Sequence, residues 1–342
     1  MFEFLKTKKI KNELDLILSE KTFDYEKSEK FQLEKDSPEL FYDNYCFSAH
    51  SVDKKQSLYI KLKTNSVQSE VWMNYCEGYN KYHLEQLIYT SNCPLKIIKE
   101  EDGISISFAG YLKKNNKDLV RITFSGKFTT DQKPINYESK INSKSLSKQL
   151  SYDKNFSSTL EKIKNNKYNY YEQLGSIKGK IIVEGQHSHY EMPCLKTHSY
   201  GYLDWTQINN HLSLNVIDKD TLLTFQMVSV PNIPILEVGN YYKKNKDNII
   251  MENAVYERQM LVRKSSPEYL NILMNLINEE NKGIHVKKVD EFKYTIQESY
   301  DVIISATEVL INGKTYRGIL EFGFNKDQTK WFDGKDIGEL KW

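Results

Sequence analysis

Residues 104–112, Ile-Ser-Ile-Ser-Phe-Ala-Gly-Tyr-Leu, are followed by residues 119–128, Leu-Val-Arg-Ile-Thr-Phe-Ser-Gly-Lys-Phe. Apolar and polar residues largely alternate in both stretches, which places one set of side chains on each face of an extended strand. Turn-forming residues, Lys-Asn-Asn-Lys at 114–117, lie between the two stretches, and Glu-Asp-Gly at 101–103 precedes the first. The pattern predicts half-buried antiparallel strands.

Strand-like runs of the same kind occur on both sides of this pair. One group, between residues 42 and 128, also includes 57–63 and 70–76. A second group comprises 176–184, 212–217, 222–229, 236–242, 256–263, 293–297, 302–310 and 316–324. Many short strands, few helices and glycine-marked turns favour a sandwich or barrel over a parallel sheet. We therefore expect an all-β protein.

Three segments are predicted to be different. Residues 2–20 carry apolar side chains at helical spacing among lysines and glutamates, which indicates an amphipathic surface helix. Residues 130–170 are polar and predict a connecting segment with one helix. Leucines and isoleucines in 267–278 predict another helix, with Ser266 as its N-cap.

The length and composition narrow the class of protein. A chain of 342 residues exceeds the ~250–300 residues at which single cores stop growing, so two domains are expected. These are a lead-in (1–40), a first domain with a helical linker (41–170) and a second domain (171–342). The net charge of +2 gives no indication of a nucleic-acid partner.

The expected environment is the cytoplasm. The N-terminus lacks the apolar core of a signal peptide, and no run of ~18 apolar residues indicates a transmembrane segment. The cysteines are widely spaced, without a C-x-x-C pair, and are expected to be reduced thiols: Cys46, Cys76, Cys93 and Cys194.

Chemically active side chains are concentrated between residues 184 and 211, which hold four of the seven histidines. In an extended strand, alternate residues face one side, and here they are His198, Tyr200, Tyr202 and Asp204. Asp and His side chains can transfer protons near neutral pH. Such a polar face inside a barrel is costly unless it is hydrogen-bonded or wet, and a ligand cavity would explain it. A structural hydrogen-bond network is the alternative.

Other types of site have weaker support. His187 and His189 alternate on one strand face and, with His198 or His211, suggest a zinc site as a minor alternative. The sequence has no G-x-G-x-x-G after a strand, no Walker A loop, no G-x-S-x-G motif and no kinase signature. Neither a metal nor a nucleotide cofactor is therefore expected.

The stretch Leu195-Lys-Thr-His-Ser-Tyr-Gly-Tyr-Leu-Asp-Trp205 resembles the R-x-H-S-[FY]-G-x-R-D-W signature of a lipocalin-like family. That family is related in fold to the carotenoid 1,2-hydratases (hydroxyneurosporene synthases) and the AttH-like proteins. The chain is most similar to the uncharacterised lipocalin-like region that accompanies a phosphoenolpyruvate-synthase-like module in some animal proteins. Lys196 and Leu203 stand where the family usually has arginine.

Further stretches follow in the order that this resemblance predicts, which covers roughly residues 40–325. They are Tyr170-Tyr-Glu-Gln-Leu-Gly-Ser-Ile-Lys-Gly179, Val228-Ser-Val-Pro-Asn232, Leu236-Glu-Val-Gly239 and Tyr316-Arg-Gly-Ile-Leu-Glu-Phe322. The resemblance implies two lipocalin-like antiparallel β-barrel or sandwich halves with a few peripheral helices. It also implies a pocket for hydrophobic compounds.

Our leading hypothesis is a cofactor-independent hydratase, isomerase or cyclase that acts by proton transfer on a terpenoid or polyketide-like substrate. Asp204 would be the acid and His198 its partner or the base. The substrate-binding residues would be Tyr200, Tyr202, Trp205, His211 and Glu237.

Two alternatives remain open at this point. The first is a non-catalytic carrier of a small hydrophobic ligand, in which His198 and Asp204 only brace the barrel. The second is an accessory module that docks onto another protein through the helix of residues 2–17.

Overall fold

The computed structural model describes residues 2–21, 23–25, 41–51, 55–85, 87–151, 156–165, 168–202, 208–230, 233–257, 265–296 and 299–326. Within these ranges the chain forms two closed antiparallel barrels of eight strands each. The prediction of an all-β fold with two barrel-like halves is confirmed.

The first barrel has the strand order β11-β1-β2-β3-β4-β7-β8-β10 and closes through the pairing of β10 with β11. Its strands are β1 (Phe41–Ser51), β2 (Gln56–Thr64), β3 (Ser69–Glu77), β4 (Asn80–His83), β7 (Gly103–Lys114), β8 (Asp118–Thr129), β10 (Asn169–Val183) and β11 (Gln186–Tyr202). Three shorter strands pair onto β3, β7 and β10, respectively: β5 (Ile88–Tyr89), β6 (Leu95–Glu100) and β9 (Ile135–Asn136).

The second barrel follows the chain order from β12 to β19. Its strands are β12 (Asn210–Asp218), β13 (Thr221–Val230), β14 (Ile233–Lys243), β15 (Ile249–Tyr256), β16 (Tyr269–Leu276), β17 (Lys282–Ile296), β18 (Tyr300–Ile311) and β19 (Lys314–Asn325). Each strand pairs with the next one, so neighbours in sequence are neighbours in space.

The division between the barrels differs from the predicted boundary at residue 171. Strands β10 and β11 complete the first barrel, because β11 pairs with β1 from Phe41↔Tyr202 to Ala49↔Cys194. The stretch around His198 therefore lies in the first barrel. Alternation in a sequence locates a strand but does not identify its partner, which here is more than 140 residues away in the chain.

The helices lie outside the barrels. They are α1 (Phe2–Glu20), α2 (Ser143–Leu150) and α3 (Phe156–Asn165), together with a 3₁₀ turn (Glu138–Lys140). The predicted N-terminal helix is present, whereas the connecting segment contains two α-helices instead of the one predicted. None of the helices in the described ranges is long and apolar enough to cross a membrane.

The apolar side of α1 is already covered by its own chain. Ile10, Leu14 and Ile17 are buried against Leu150 of α2 and Leu160 of α3. At these three positions the apolar side of the helix is packed against its own chain and is not available to a partner.

The predicted helix at 267–278 is wrong, because this segment contains β16. Leu270, Ile272, Met274 and Leu276 are buried at every second position. This period of two is typical of a half-buried strand. The closely spaced leucine and isoleucine residues also satisfy a helical period, which led to the wrong prediction. The predicted strand at 256–263 meets β15 only at Tyr256, and 258–264 lie outside the described residues.

The two barrels pack against each other through their outer faces. One buried cluster joins Cys46, Tyr59 and Trp72 of the first barrel to side chains of the second, among them Tyr294 and Tyr300. A smaller cluster joins side chains of the first barrel, Leu174 and Leu195, to Ile217 and Leu222 of the second. The interface is therefore largely apolar.

A buried ion pair ties the 3₁₀ turn to both barrels. The Lys140 ammonium lies 2.6 Å from the Glu172 carboxylate of β10, and both side chains are fully buried. The ammonium also donates to Thr224 Oγ1 of β13 at 3.3 Å. Burial lowers the pKa of Lys140, and the charge of Glu172 opposes this effect. The pair thus fixes the linker between the barrels at the cost of desolvating two charges.

We predict that Lys140→Met lowers the free energy of unfolding by about 3–5 kcal/mol, because it leaves the buried Glu172 carboxylate without its counter-ion. Urea denaturation would measure this loss. The double variant Lys140→Met/Glu172→Leu should recover much of it. The exposed pair of Lys144 and Glu252 is the matched control, and Lys144→Met should cost less than about 1 kcal/mol. Equal losses for the two single variants would contradict the prediction.

Candidate functional site

His198 lies on β11 and points into the first barrel. It is directly opposite Tyr45 of β1 and Tyr171 of β10. Opposed residues of an antiparallel pair share a face of the sheet, and Tyr45 belongs to the core of the first barrel. His198 and Tyr171 therefore face the same interior, where both are completely buried.

Hydrogen bonds link His198 to two neighbours. Its Nε2 lies 3.0 Å from Asp43 Oδ1, and its Nδ1 lies 3.0 Å from the Tyr171 hydroxyl. The ring stacks on Tyr45 with centroids 3.8 Å apart. In the tautomer that carries its proton on Nε2, this nitrogen donates to Asp43 and Nδ1 accepts from the Tyr171 hydroxyl. The result is a carboxylate–histidine–tyrosine chain inside the barrel.

The next inward-facing pair of residues on the same two strands is also polar. Gln173 of β10 is opposite Lys196 of β11, and both are buried. The Lys196 ammonium lies 5.0 Å from the ring centroid of Tyr171 and 6.0 Å from that of Phe128. Lys196, which stands where the resembled signature has arginine, thus places a cationic side chain beside the histidine chain.

The two tyrosines predicted to line the pocket lie in different surroundings. Tyr200 is opposite Asp43, and its ring centroid is 5.5 Å from that of His198, so it joins the site. Tyr202 is 47% exposed at the end of β11 and packs edge-on against Phe41. Tyr202 is therefore about half open to solvent at the edge of the barrel.

Asp204 and Trp205, the predicted acid and one predicted pocket residue, lie outside the described residues. His187 and His189, which suggested a zinc site, are both exposed. In the part of the chain that the structure describes, no group of three or more His, Cys, Asp or Glu side chains is arranged to hold a metal ion.

His211 forms a second chain of the same kind, between the barrels. Its Nε2 lies 3.0 Å from Glu321 Oε1, and its Nδ1 lies 2.8 Å from the Tyr300 hydroxyl. The Tyr59 hydroxyl of the first barrel donates to Glu321 Oε2 at 3.0 Å. The structure therefore places His211 in the inter-barrel interface and not beside His198.

Glu237 lies in a third place. It is opposite Met227, a core residue of the second barrel, and accepts a hydrogen bond from the Tyr256 hydroxyl at 2.6 Å. Of the predicted residues in the described ranges, the structure brings together only His198 and Tyr200.

Sequence reasoning missed the other members of the site, which are Asp43, Tyr45, Tyr171, Gln173 and Lys196. A signal was present for Asp43, because it continues the inward-facing series Tyr45, Phe47 and Ala49 of β1. A carboxylate at a core position of an alternating strand indicates a buried polar partner.

The electrostatics of the interface are dominated by Glu321. Burial by itself would raise the pKa of this carboxyl, but the Lys61 ammonium and the hydrogen bonds from His211 and Tyr59 lower it to about 2. Burial also favours the neutral form of Lys61, but Glu321 and other nearby groups raise its pKa. Glu321 is therefore an ionised group that bonds side chains of both barrels.

Because the pKa of Glu321 is lower in the folded chain than its ordinary 4.5, this carboxylate stabilises the fold above pH 4.5, and the contribution is lost as the pH falls towards about 2. We predict that Glu321→Gln is less stable than wild type at pH 7. The difference should shrink by up to about 3 kcal/mol by pH 2 in urea titrations. Glu279→Gln, an exposed control, should show no such convergence. A difference that is independent of pH would contradict the assignment.

Solved structures with a similar fold are known. CghA with Sch210972 superimposes with a TM-score of 0.50 at 7% identity, covering 84% of this chain and 89% of that chain. An AttH-like protein from Nitrosomonas europaea superimposes with a TM-score of 0.49 at 9% identity, covering 84% of this chain and 92% of that chain. Kievitone hydratase from Nectria haematococca superimposes with a TM-score of 0.49 at 8% identity, covering 84% of this chain and 90% of that chain. No model of a protein family and no curated protein matches the sequence.

The similarity to CghA is a similarity of fold. The chain shares the two-barrel architecture of CghA, and the structural relationship predicted from residues 195–205 is confirmed at that level. At 7% identity the similarity extends to the fold and not to the reaction.

Proposed function

We propose that the protein catalyses proton transfer on an apolar, unsaturated small molecule of the terpenoid or polyketide-like class, without a cofactor. The reaction would be a hydration, an isomerisation or a cyclisation. The observation that carries the proposal is the hydrogen-bonded chain of Asp43, His198 and Tyr171 inside the first barrel.

The chain has the chemistry needed to accept and return a proton. His198 can take the hydroxyl proton of Tyr171 at Nδ1, and the Asp43 carboxylate then stabilises the imidazolium. The Tyr171 oxygen can then take a proton from one atom of the substrate or, in a hydration, from the water that adds to it. The Tyr171 hydroxyl donates this proton to another atom of the substrate, and His198 then returns its own proton to the Tyr171 oxygen. Isomerisation and cyclisation leave the proton count unchanged, whereas hydration adds one water.

The surroundings favour this transfer. Lys196 places positive charge near the Tyr171 ring, which supports negative charge on the tyrosine oxygen. The aromatic rings of Tyr45 and Phe128 give the site apolar walls. The side chains of Asp43, His198 and Tyr171 are fully buried, so their hydrogen bonds act in a low dielectric. The ligand would enter from the end of the barrel where Tyr200 is partly exposed.

A non-catalytic carrier is the second candidate, and one observation favours it. Both ring nitrogens of His198 already have hydrogen-bond partners, and the side chains of Asp43, His198 and Tyr171 are all fully buried. Such saturation is also what a purely structural network requires. A carrier would return its ligand unchanged.

We predict that His198→Gln and Asp43→Asn lower conversion by about 10²- to 10⁴-fold, the usual contribution of acid–base catalysis. The measurement is untargeted mass spectrometry of a host lipid and terpenoid extract incubated with each folded protein. His285→Gln and Asp118→Asn, two exposed positions away from the site, are the matched controls and should convert as the wild type does. Enrichment of the same unchanged compounds by every variant would favour the carrier and reject the enzyme.

Asp204 stays a proposed acid and is tested in the same assay. If Asp204→Asn converts the substrate at the wild-type rate, the proton must come from another group. Loss of conversion with retained ligand enrichment would place Asp204 in the mechanism.

A further inference from the structure

The chain covers the histidine site with its own aromatic side chains. The ring centroids of Phe23 and Tyr25 lie 5.4 and 5.7 Å from that of Tyr171, and Tyr25 meets it edge-on. Tyr25 is partly exposed, whereas Tyr171 beneath it is completely buried. A ligand that reaches Tyr171 from this side must therefore take the place of the Tyr25 ring.

The groups around Tyr25 form a built site for a hydroxylated ring. The Tyr25 hydroxyl donates to Gln173 Oε1 at 3.2 Å. The Lys196 ammonium lies 5.8 Å from the ring centroid, and that of Lys99 lies 6.0 Å from it. Gln173 and Lys196 are 2% and 1% exposed. A buried amide acceptor, two ammonium groups and an aromatic edge thus surround one phenol.

The position of Gln173 is fixed from the other side as well. Its amide nitrogen donates to the backbone oxygen of Gln132 at 3.0 Å, which orients Oε1 towards Tyr25. Because this acceptor is fixed in place, a ligand with a hydroxyl donor binds more tightly than a ligand that leaves the acceptor without a hydrogen bond.

We infer that Tyr25 occupies the position of the ligand's polar end, and that the ligand carries a planar ring with a hydroxyl group. This inference rests on the proposed function, since it names the substrate class of the same site: an apolar molecule that ends in a phenol-like ring. Tyr25 belongs to no strand of either barrel, so its ring can leave without breaking a strand pairing.

The test uses 4-fluorophenol as the probe and fluorobenzene as its control without the hydroxyl, both observed by ¹⁹F NMR. Removal of the ring in Tyr25→Ala opens the position, so 4-fluorophenol should bind this variant at least about tenfold more tightly than wild type or Tyr25→Phe. Fluorobenzene should bind Tyr25→Ala about tenfold more weakly than 4-fluorophenol does. Adding Gln173→Met should remove this preference.

Equal binding of 4-fluorophenol to Tyr25→Ala and Tyr25→Phe would overturn the inference, as would equal binding of the two probes to Tyr25→Ala. Tyr25→Ser replaces Tyr25→Ala if the latter does not fold, with the same expected order. The experiment does not depend on turnover. Selective binding of 4-fluorophenol together with absent conversion would overturn the proposed reaction alone, and conversion without selective binding would overturn only this inference.

Discussion

The antiparallel pairing of β1 with β11 is the interaction on which the rest of the first barrel depends. It joins β11 to the first strand of the chain and sets Tyr45 opposite His198 and Asp43 opposite Tyr200. Asp43 then reaches His198 diagonally across the two strands. A register shift of one residue would turn His198 to the outer face and leave the Asp43 carboxylate buried without this donor. Closure of the barrel and assembly of the site therefore stabilise the same register.

The second carboxylate–histidine–tyrosine chain shows what such an arrangement does apart from chemistry. At His211, as at His198, a carboxylate bonds Nε2 and a tyrosine bonds Nδ1. A buried imidazole needs partners for both nitrogens, and this combination supplies them. The two hydrogen-bond chains differ in their surroundings. The side chains of His211 and Glu321 are 13% and 17% exposed, and the Lys61 ammonium offsets the negative charge of Glu321. The hydrogen bonds of His211 and Glu321 join the two barrels. Those of His198 join three strands of a single barrel, and backbone hydrogen bonds already hold these strands together.

The sequence alone predicts those features that depend on local periodicity. Alternation in residues 104–112 and helical spacing in residues 2–20 lead to the elements that the structure contains. The period-two spacing of His198 and Tyr200 also predicts their shared face. The same reasoning failed at Leu270 to Leu276, because closely spaced apolar residues satisfy the helical period as well as the strand period.

The remaining members of the site depend on which strands are paired. Asp43 is 155 residues from His198, and its role follows only from the β1–β11 register. The predicted boundary placed Tyr171 and Gln173 in the same half as His198 but apart from Asp43, and the β1–β11 pairing brings them together. Long-range pairing of this kind is determined by the closure of the whole barrel, and the periodicity of a single strand carries no information about it.

The buried polar residues of the first barrel stand out from the rest of its interior. The same lumen is otherwise filled by apolar side chains such as Phe47, Ile60 and Phe124. Replacing buried charged groups by apolar groups of similar volume is often neutral or stabilising. The buried Lys140–Glu172 pair connects the linker to both barrels, so its desolvation accompanies a structural contact between them. Asp43, His198 and Lys196 lie on two strands that backbone pairing already joins. Backbone pairing therefore holds these two strands together in addition to the polar side chains.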